Sequence, residues 1–453
     1  MREELERLLG VEAVSERPVH DLWPLGVIRA RGGAERPRSL VVRPASYEEV
    51  GAVLRWAGEH DVGVVPLGGG SGVTGALDPS GAELVLDLGA LDRILEVDEH
   101  DLWCRAQAGV KGMALEEELN RRGLKLGHYP SSLPVATVGG LVATRSSGQE
   151  SMLYGNVEDI LLGLVVALPS GSVVQARPPV RTAAGPPLHQ LFAGSEGGLG
   201  VVLEASLRVH RVQPERGFGF GFDSLASGLE AMRAIAQDGL RPMVMRLYDE
   251  DDTQFQAAGL DSGCLLVMGL TGPEPTLDGQ EAVVRAACDG AQALGEEPWR
   301  HWKGHRYDLS AERLLEFLKP AGSFVDTIEV AAPWSRLLDL HGAIKKALQE
   351  PGALALCHFS HASMQGACAY FTFAGAAEGD EAAERAYLAA WKGAMEAALQ
   401  HGATISHHHG VGQVRAPWID RELAGWREVW EAVRSGLDPA GIMNPRALGG
   451  RRR

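Results

Sequence analysis

The run Ser406-His407-His408-His409-Gly410-Val411-Gly412 gathers three imidazoles between a hydroxyl and two glycines. An imidazole titrates near neutrality, so it can give or take a proton beside a reacting group. Three adjacent histidines cannot all face one way in any regular structure, and at least one must point elsewhere. The glycines place the run on a loop that meets a ligand. Zinc binding is the competing chemistry, but no cysteine or acidic residue stands at ligand spacing nearby, so no metal is expected. A second stretch of chemical interest is Val64-Val65-Pro66-Leu67-Gly68-Gly69-Gly70-Ser71-Gly72-Val73-Thr74-Gly75. Glycines let successive backbone amides approach a ligand and turn at positive φ, so this loop can cradle a diphosphate. It lacks the Gly-Lys-Ser/Thr ending of a P-loop, and no helix opens on its third glycine as in a Rossmann fingerprint. A plain glycine-rich turn between two strands fits the loop alone equally well.

Two further blocks bear on that choice. One runs Gly127-His128-Tyr129-Pro130-Ser131-Ser132-Leu133-Pro134-Val135-Ala136-Thr137-Val138-Gly139-Gly140, then Thr144-Arg145-Ser146-Ser147-Gly148 and Tyr154-Gly155-Asn156. Small donors crowded between apolar strands suit a large, hydrogen-bond-rich ligand threaded past the backbone. The other, Ala193-Gly194-Ser195-Glu196-Gly197-Gly198-Leu199-Gly200-Val201-Val202, runs from a glycine loop straight into a strand.

The elements that must position these blocks follow from periodicity. A charged helix opens the chain, and residues 1–36 read as an arm. Ser39–Pro44 is a strand, and Ser46 caps a helix to His60 with Val50, Val53, Leu54 and Ala57 on one face. Strands follow at 83–88, 102–106, 160–168 and 200–209, with a helix from Met113 to Arg122. Short spacing between mixed elements argues for α+β in residues 37–212. From 213 to 401 the pattern restarts, with strands at 218–222, 244–247, 265–270, 353–359 and 367–374. Helices at 224–238, 276–294, 333–350 and 380–401 complete an α+β unit with an antiparallel sheet. Residues 402–453 carry the histidine run and a helix around 421–435.

Composition narrows the class. A chain of 453 residues with 57 glycines and a formal charge of −16 has no basic face for nucleic acid. Five scattered cysteines form neither a disulfide framework nor a cysteine zinc motif and fit a reducing compartment. The charged N-terminus is no signal peptide, no apolar run reaches the ~18 residues of a membrane span, and the tail is no targeting address. A cytoplasmic protein is expected.

The three ligand-facing blocks, in this order, resemble the vanillyl-alcohol-oxidase (PCMH-type) family of FAD-binding folds over essentially the full chain. The resemblance implies a FAD-binding domain plus a cap domain, with the C-terminal segment returning to the flavin. It places FAD on Pro66 through Thr74, on Pro130, Ser131 and Ser132, and on Thr137, Gly139 and Gly140. It adds Thr144 through Gly148, then Glu196, Gly200, Val201 and Val202. No histidine stands in the first loop, so noncovalent FAD is expected.

Within that family the chain is similar to the alkyldihydroxyacetonephosphate synthases. Thr144-Arg145-Ser146-Ser147-Gly148, Gly366-Ala367-Cys368-Ala369-Tyr370-Phe371-Thr372-Phe373 and the histidine run carry this likeness. The resemblance implies that Tyr370 and His407, His408 and His409 are catalytic, whereas the residues alone read Tyr370 as an aromatic in a sheet. It further implies that Arg246 and Arg313 bind the anionic part of a small-molecule substrate, although an ordinary surface arginine accounts for Arg313 equally well. The reaction implied is exchange of an acyl for an alkyl group at the flavin N5, without net redox. Members that oxidise D-2-hydroxy acids, D-lactate or glycolate, are the alternative. Their tail typically reads Glu before a single His-Gly, unlike His407-His408-His409-Gly410. The resemblance is compatible with a homodimer and with peripheral lipid contact, but no basic amphipathic helix supports membrane docking.

Overall fold

Ser46 is extended, and its hydroxyl accepts the Glu49 amide at 3.2 Å, so the helix Tyr47–Glu59 begins where the sequence predicts. That helix crosses between the parallel strands Arg38–Val42 and Leu84–Asp87 and the glycine-loop strand Val64–Leu67. The computed structural model describes residues 1–77, 83–175, 182–255, 263–308 and 315–450. Among them the arm contributes strand Val14–Pro18, antiparallel to Arg38–Val42, and so completes a four-stranded mixed sheet. Leu84, Val85 and Leu86 are wholly buried, as a strand covered on both faces requires. A second, antiparallel sheet orders Ile94–Asp98, Trp103–Gln107, Val201–Arg208, Leu161–Ala167 and Val173–Gln175.

The third sheet has seven strands, all antiparallel, in the order Gln292–Gly295, Glu215–Phe222, Cys264–Thr271, Val244–Tyr248, Leu354–Ser360, Gly366–Ala376, Ser323–Pro333. Helices Leu225–Gln237, Glu274–Ala287, Trp334–Gln349 and Asp380–Gln400 share one core with alternate residues of its strands, such as Leu247, Phe359 and Phe371. Intervening residues such as Val244, Tyr248, Leu265 and Val267 point the other way, into a smaller cluster with Trp299 and Trp302 against which Leu153 and Tyr154 pack.

Three predicted features need correction. The helix expected over 276–294 ends at Ala287, because Gly290 turns at φ 82° and Gln292–Gly295 joins the sheet edge. The helix expected around 421–435 is broken at Ala424, with φ 45°, and its main part is Trp426–Leu437. Strand Ser323–Pro333 escaped the reading because two carboxylates, Asp326 and Glu329, interrupt its apolar alternation although both are buried.

The two ends of the chain cross over. Trp23, Leu25 and Ile28 of the arm join the core of the seven-stranded sheet, and Trp23 Nε1 donates to the Tyr387 hydroxyl at 3.1 Å. Conversely, Ile442 and Met443 join the core of the first two sheets. Val64 donates to the Ile442 carbonyl at 2.7 Å, and Asn444 donates back to Val64 at 2.8 Å. Glu150 makes a further tie, accepting from Lys125 at 2.8 Å and from Arg306 at 2.9 Å. Among the described residues no helix is long and apolar enough to cross a membrane.

Two changes test this framework. Burial raises the Asp326 carboxyl from 3.8 to about 6, against donors from Tyr387, the Thr327 amide and Trp391. An acid whose folded pKa is raised loses stability as pH climbs from its unfolded value through the folded one. Asp326→Asn is therefore expected to flatten the fall in stability between about pH 4 and pH 6, read by thermal denaturation across that window. A Cβ at Gly69 would stand 2.1 Å from the Val135 carbonyl oxygen, a backbone atom that cannot swing away. Gly69→Ala is expected to destabilise by ~1–3 kcal/mol, measured by denaturant unfolding; an unchanged midpoint would contradict the packing.

Candidate functional site

The glycine loop is the meeting point of the blocks singled out in the sequence. A Cβ at Gly68 would lie 2.5 Å from Thr137 Oγ1, and one at Gly197 would lie 2.9 Å from Pro66. Gly70 and Gly75 hold φ of 66° and 75°. Thr74, buried, accepts the amides of Gln413 and Val414 at 2.9 and 3.1 Å, which joins this loop to the end of the histidine run. From the arm, Leu22 donates to the Gly72 carbonyl at 2.7 Å. The loop opens on a cavity of about 310 Å³, whose lining includes Gly68, Gly69, Gly70, Arg17 and His20. Asp87 also lines this cavity and pairs with Arg17 at 3.1 Å, so what suits a diphosphate there is the side-chain-free backbone of Gly68, Gly69 and Gly70, and on that ground the cradle fits the FAD that the resemblance implies.

Several residues of the other blocks have their side chains engaged within the protein. Thr137 caps the helix Val138–Ala143, which contains Gly139 and Gly140, and Thr144 donates to the Gly140 carbonyl at 3.0 Å. Arg145, at φ 54°, pairs with Glu158 at 2.8 Å on the surface. Ser146 meets His128 Nε2 at 2.8 Å, and Ser147 donates to Asn156 at 2.5 Å. A Cβ on Gly148 would strike the Tyr129 amide nitrogen at 2.3 Å. Ser131 accepts from Gln149, and the Pro130 and Ser132 carbonyls close the turn through Ala136. Gly200 leads into strand Val201–Arg208, which begins with Val201 and Val202. What these blocks offer a ligand is therefore largely backbone and shape.

The second half of the site is a row across the seven-stranded sheet. Tyr248 stands opposite His358, His358 opposite Tyr370, and Tyr370 opposite Glu329. Side chains directly opposite one another share a face, so antiparallel register alone lines these four up. Arg246, two residues before Tyr248, is on the same face, and its Nη2 approaches His358 Nε2 at 2.5 Å. The His358 ring stacks on Tyr370 at 4.7 Å and 18°.

The histidine run folds over this row. The Tyr370 ring lies 6.0 Å from His408, stacked, and 5.5 Å from His409, edge-on. His407 and His408 bring their Nδ1 atoms to 3.0 Å, and His361 adds a further imidazole, 5.0 and 5.2 Å from their rings. The third ring diverges as expected, with His409 Nδ1 turned to 3.5 Å from Glu329. The sheet also brings in Cys368, whose sulfur falls within 4.8 Å of ligand atoms of His407 and His408. Reading for local spacing missed this, because the cysteine arrives on a distant strand. Arg313 lies outside the described residues.

Electrostatics keep the imidazoles and phenols of the row uncharged near neutrality, while Glu329 at its end stays ionised beside Arg415. Burial pushes His358 and His409 down from 6.5 to about 4, with Arg246 adding to the first and Glu329 opposing the second. Burial also holds His361 and His408 well below the usual imidazole range. The Tyr370 phenol is pushed up to about 12, by burial first. Tyr370, His361 and His407–His409 are nevertheless half-buried and not fully enclosed. Neutral imidazoles are in the form that can accept a proton, and a neutral phenol is in the form that can donate one.

Besides Cys368, sequence reading missed four contributors: His358, His361, Glu329 and Arg415. His361 has a local signal only in hindsight, a histidine at φ 48°, a conformation uncommon outside glycine. The other three acquire meaning only from register and burial. Glu196 also differs from expectation in what its side chain does. Its carboxylate accepts the Val411 and Gly412 amides at 2.6 and 3.1 Å, holding the histidine loop.

Comparison with known proteins gives this arrangement its context. Residues 38–177 match the family described as FAD binding domain, and residues 213–448 match FAD linked oxidases, C-terminal domain. The alkyldihydroxyacetonephosphate synthase of Trypanosoma brucei brucei is 32% identical over 94% of this chain and 75% of its own. A solved structure of alkyldihydroxyacetonephosphate synthase superposes with a TM-score of 0.83 at 27% identity, covering 98% of this chain and 84% of that one. The glycolate oxidase subunit of Bacillus subtilis is more distant, 26% identical over 89% of this chain and 87% of its own. FAD is the cofactor that this fold holds. The matches over residues 38–177 and 213–448, with 32% identity to a relative over nearly the whole chain, identify the chain as a member of the FAD-linked oxidase family of PCMH-type flavoenzymes.

Proposed function

We propose that the protein is an enzyme of the alkyldihydroxyacetonephosphate synthase type, exchanging an acyl for an alkyl group on an anionic small-molecule substrate. The observation that carries this reading is the cluster in which Tyr370 contacts His408 and His409, His407 contacts His408, and Arg246 lies beside them on His358. The flavin, when bound, supplies the N5 position at which such an exchange takes place. The chain's own residues handle the rest. The Arg246 guanidinium grips the anionic group, and its contact with His358 fixes its direction. Neutral His408 takes the proton of the incoming hydroxyl as the new C–O bond forms and later releases it to solvent, while the fatty acid departs as its carboxylate anion, to whose oxygen the Tyr370 phenol donates a hydrogen bond. Arg313 is assigned to substrate on the resemblance alone.

The second reading, FAD-linked oxidation of a D-2-hydroxy acid, is favoured by one feature, since Arg246 beside a neutral histidine would seat a carboxylate as well as a phosphate. We take the enzyme to be cytoplasmic, to hold FAD noncovalently and to form a homodimer, which acid release of the flavin and light scattering check.

Anaerobic mixing separates the two chemistries. D-lactate and glycolate are expected to leave the flavin spectrum unbleached, while acyl-dihydroxyacetone phosphate and a labelled fatty alcohol yield labelled ether product. Bleaching by a hydroxy acid without ether product would reverse the assignment. His408→Ala is expected to keep bound FAD and lose turnover by on the order of 10²–10⁴-fold; full activity would remove histidine from the mechanism. The depressed imidazoles set the sign of the pH dependence, since bases that protonate only well below 6.5 stay competent in mild acid. The acid limb of kcat/KM is therefore expected below pH 6, and a limb at or above 6.5 would contradict the burial of the set.

A further inference from the structure

Glu329 is wholly buried and sits at the end of the Tyr248–His358–Tyr370 row, yet it reaches past the sheet into the histidine loop. Its carboxylate accepts the backbone amides of His407 at 2.8 Å, His408 at 3.4 Å and His409 at 2.6 Å, and the Ser406 hydroxyl at 3.1 Å. Three consecutive amides aimed at one anion form a concave nest, the arrangement that usually captures a ligand. Here the anion belongs to the protein. Arg415, also wholly buried, balances the charge at 3.2 Å while donating to the carbonyls of Ile405 at 2.8 Å and Gly410 at 3.1 Å. One ion pair thus holds both ends and the middle of the loop.

The geometry points to Glu329 as a positioning residue that fixes the His407–His409 backbone and sets the proton affinity of His409 across a 3.5 Å gap. This rests on the proposed role of the histidine run. A carboxylate is needed because every neighbour of its oxygens is a donor; a carboxamide in its place would turn an NH₂ toward amide N–H groups. The charged and titratable groups around His409 are Glu329, Arg415, His407, His408 and Tyr370, and of these only Glu329 draws a proton onto the ring. The carboxylate therefore partly offsets the burial that keeps His409 neutral.

The test is Glu329→Gln in the FAD-loaded enzyme, with ¹⁵N-histidine NMR titration beside the kinetics. The proposal expects the His409 protonation midpoint to move to lower pH and kcat to fall by on the order of 10²-fold. Glu329→Asp, which keeps the charge but shortens the reach, should restore the midpoint more than kcat. A midpoint unmoved in a folded Glu329→Gln protein overturns it. Should that variant not fold, amide exchange in the wild-type enzyme decides: the His407–His409 amides should exchange as slowly as those of strand Gly366–Ala376, and exchange at the rate of an open loop overturns the inference. The NMR arm does not require turnover. A shifted midpoint in an enzyme that forms no ether product would leave this inference standing and remove the proposed function.

Discussion

The site depends on keeping two carboxyl groups out of water in the middle of the fold. Glu329 and Glu196 are both buried, and each is surrounded by backbone amides of the same loop, Glu329 on residues 407–409 and Glu196 on residues 411 and 412. Desolvating a carboxylate costs several kcal/mol unless donors replace the lost water. A loop that must supply those donors has little conformational freedom left. The burden of burial is thereby converted into rigidity at the place where three imidazoles need to be held still.

This arrangement explains why the glycines sit where they do. Gly410, at φ 82°, leaves room for Glu196 Oε1, which a Cβ would meet at 2.6 Å, and Gly412 leaves room for Thr74 of the glycine loop. The same backbone that carries the histidines is thus locked to the cofactor cradle on one side and to the seven-stranded sheet on the other. Trp391 extends the connection, lying 5.0 Å from the Arg415 guanidinium while donating to Asp326. Asp326 is in turn joined through Tyr387 to Trp23 of the arm.

The parts of this design legible in the sequence were those whose physics is local. Glycine clusters announce close backbone approach wherever they end up, and the 3.6-residue spacing of Val50, Val53, Leu54 and Ala57 announces a helix. The three ligand blocks carried the resemblance to a FAD-binding fold, and the strand and helix pattern after residue 213 announced the antiparallel sheet. The rest was hidden for a single reason. Glu329, His358 and Cys368 take their roles from strands that pair across long sequence separations, so nothing adjacent to them signals partnership. Asp326 and Glu329 even masked the strand that carries them, because a buried carboxylate looks the same in sequence as an exposed one. Tyr370 stood out only through resemblance; its neighbours in the row had no such help.

The pairing of Val64 with Ile442 and Asn444 has a consequence for how the protein is made. The strand leading into the glycine loop is synthesised early, but the segment that closes its free edge leaves the ribosome hundreds of residues later. Until then the edge beside the cradle is an unpaired template for any other strand in the cell. The sheet that carries the cradle is therefore complete only once residues 442–444 have folded back onto Val64.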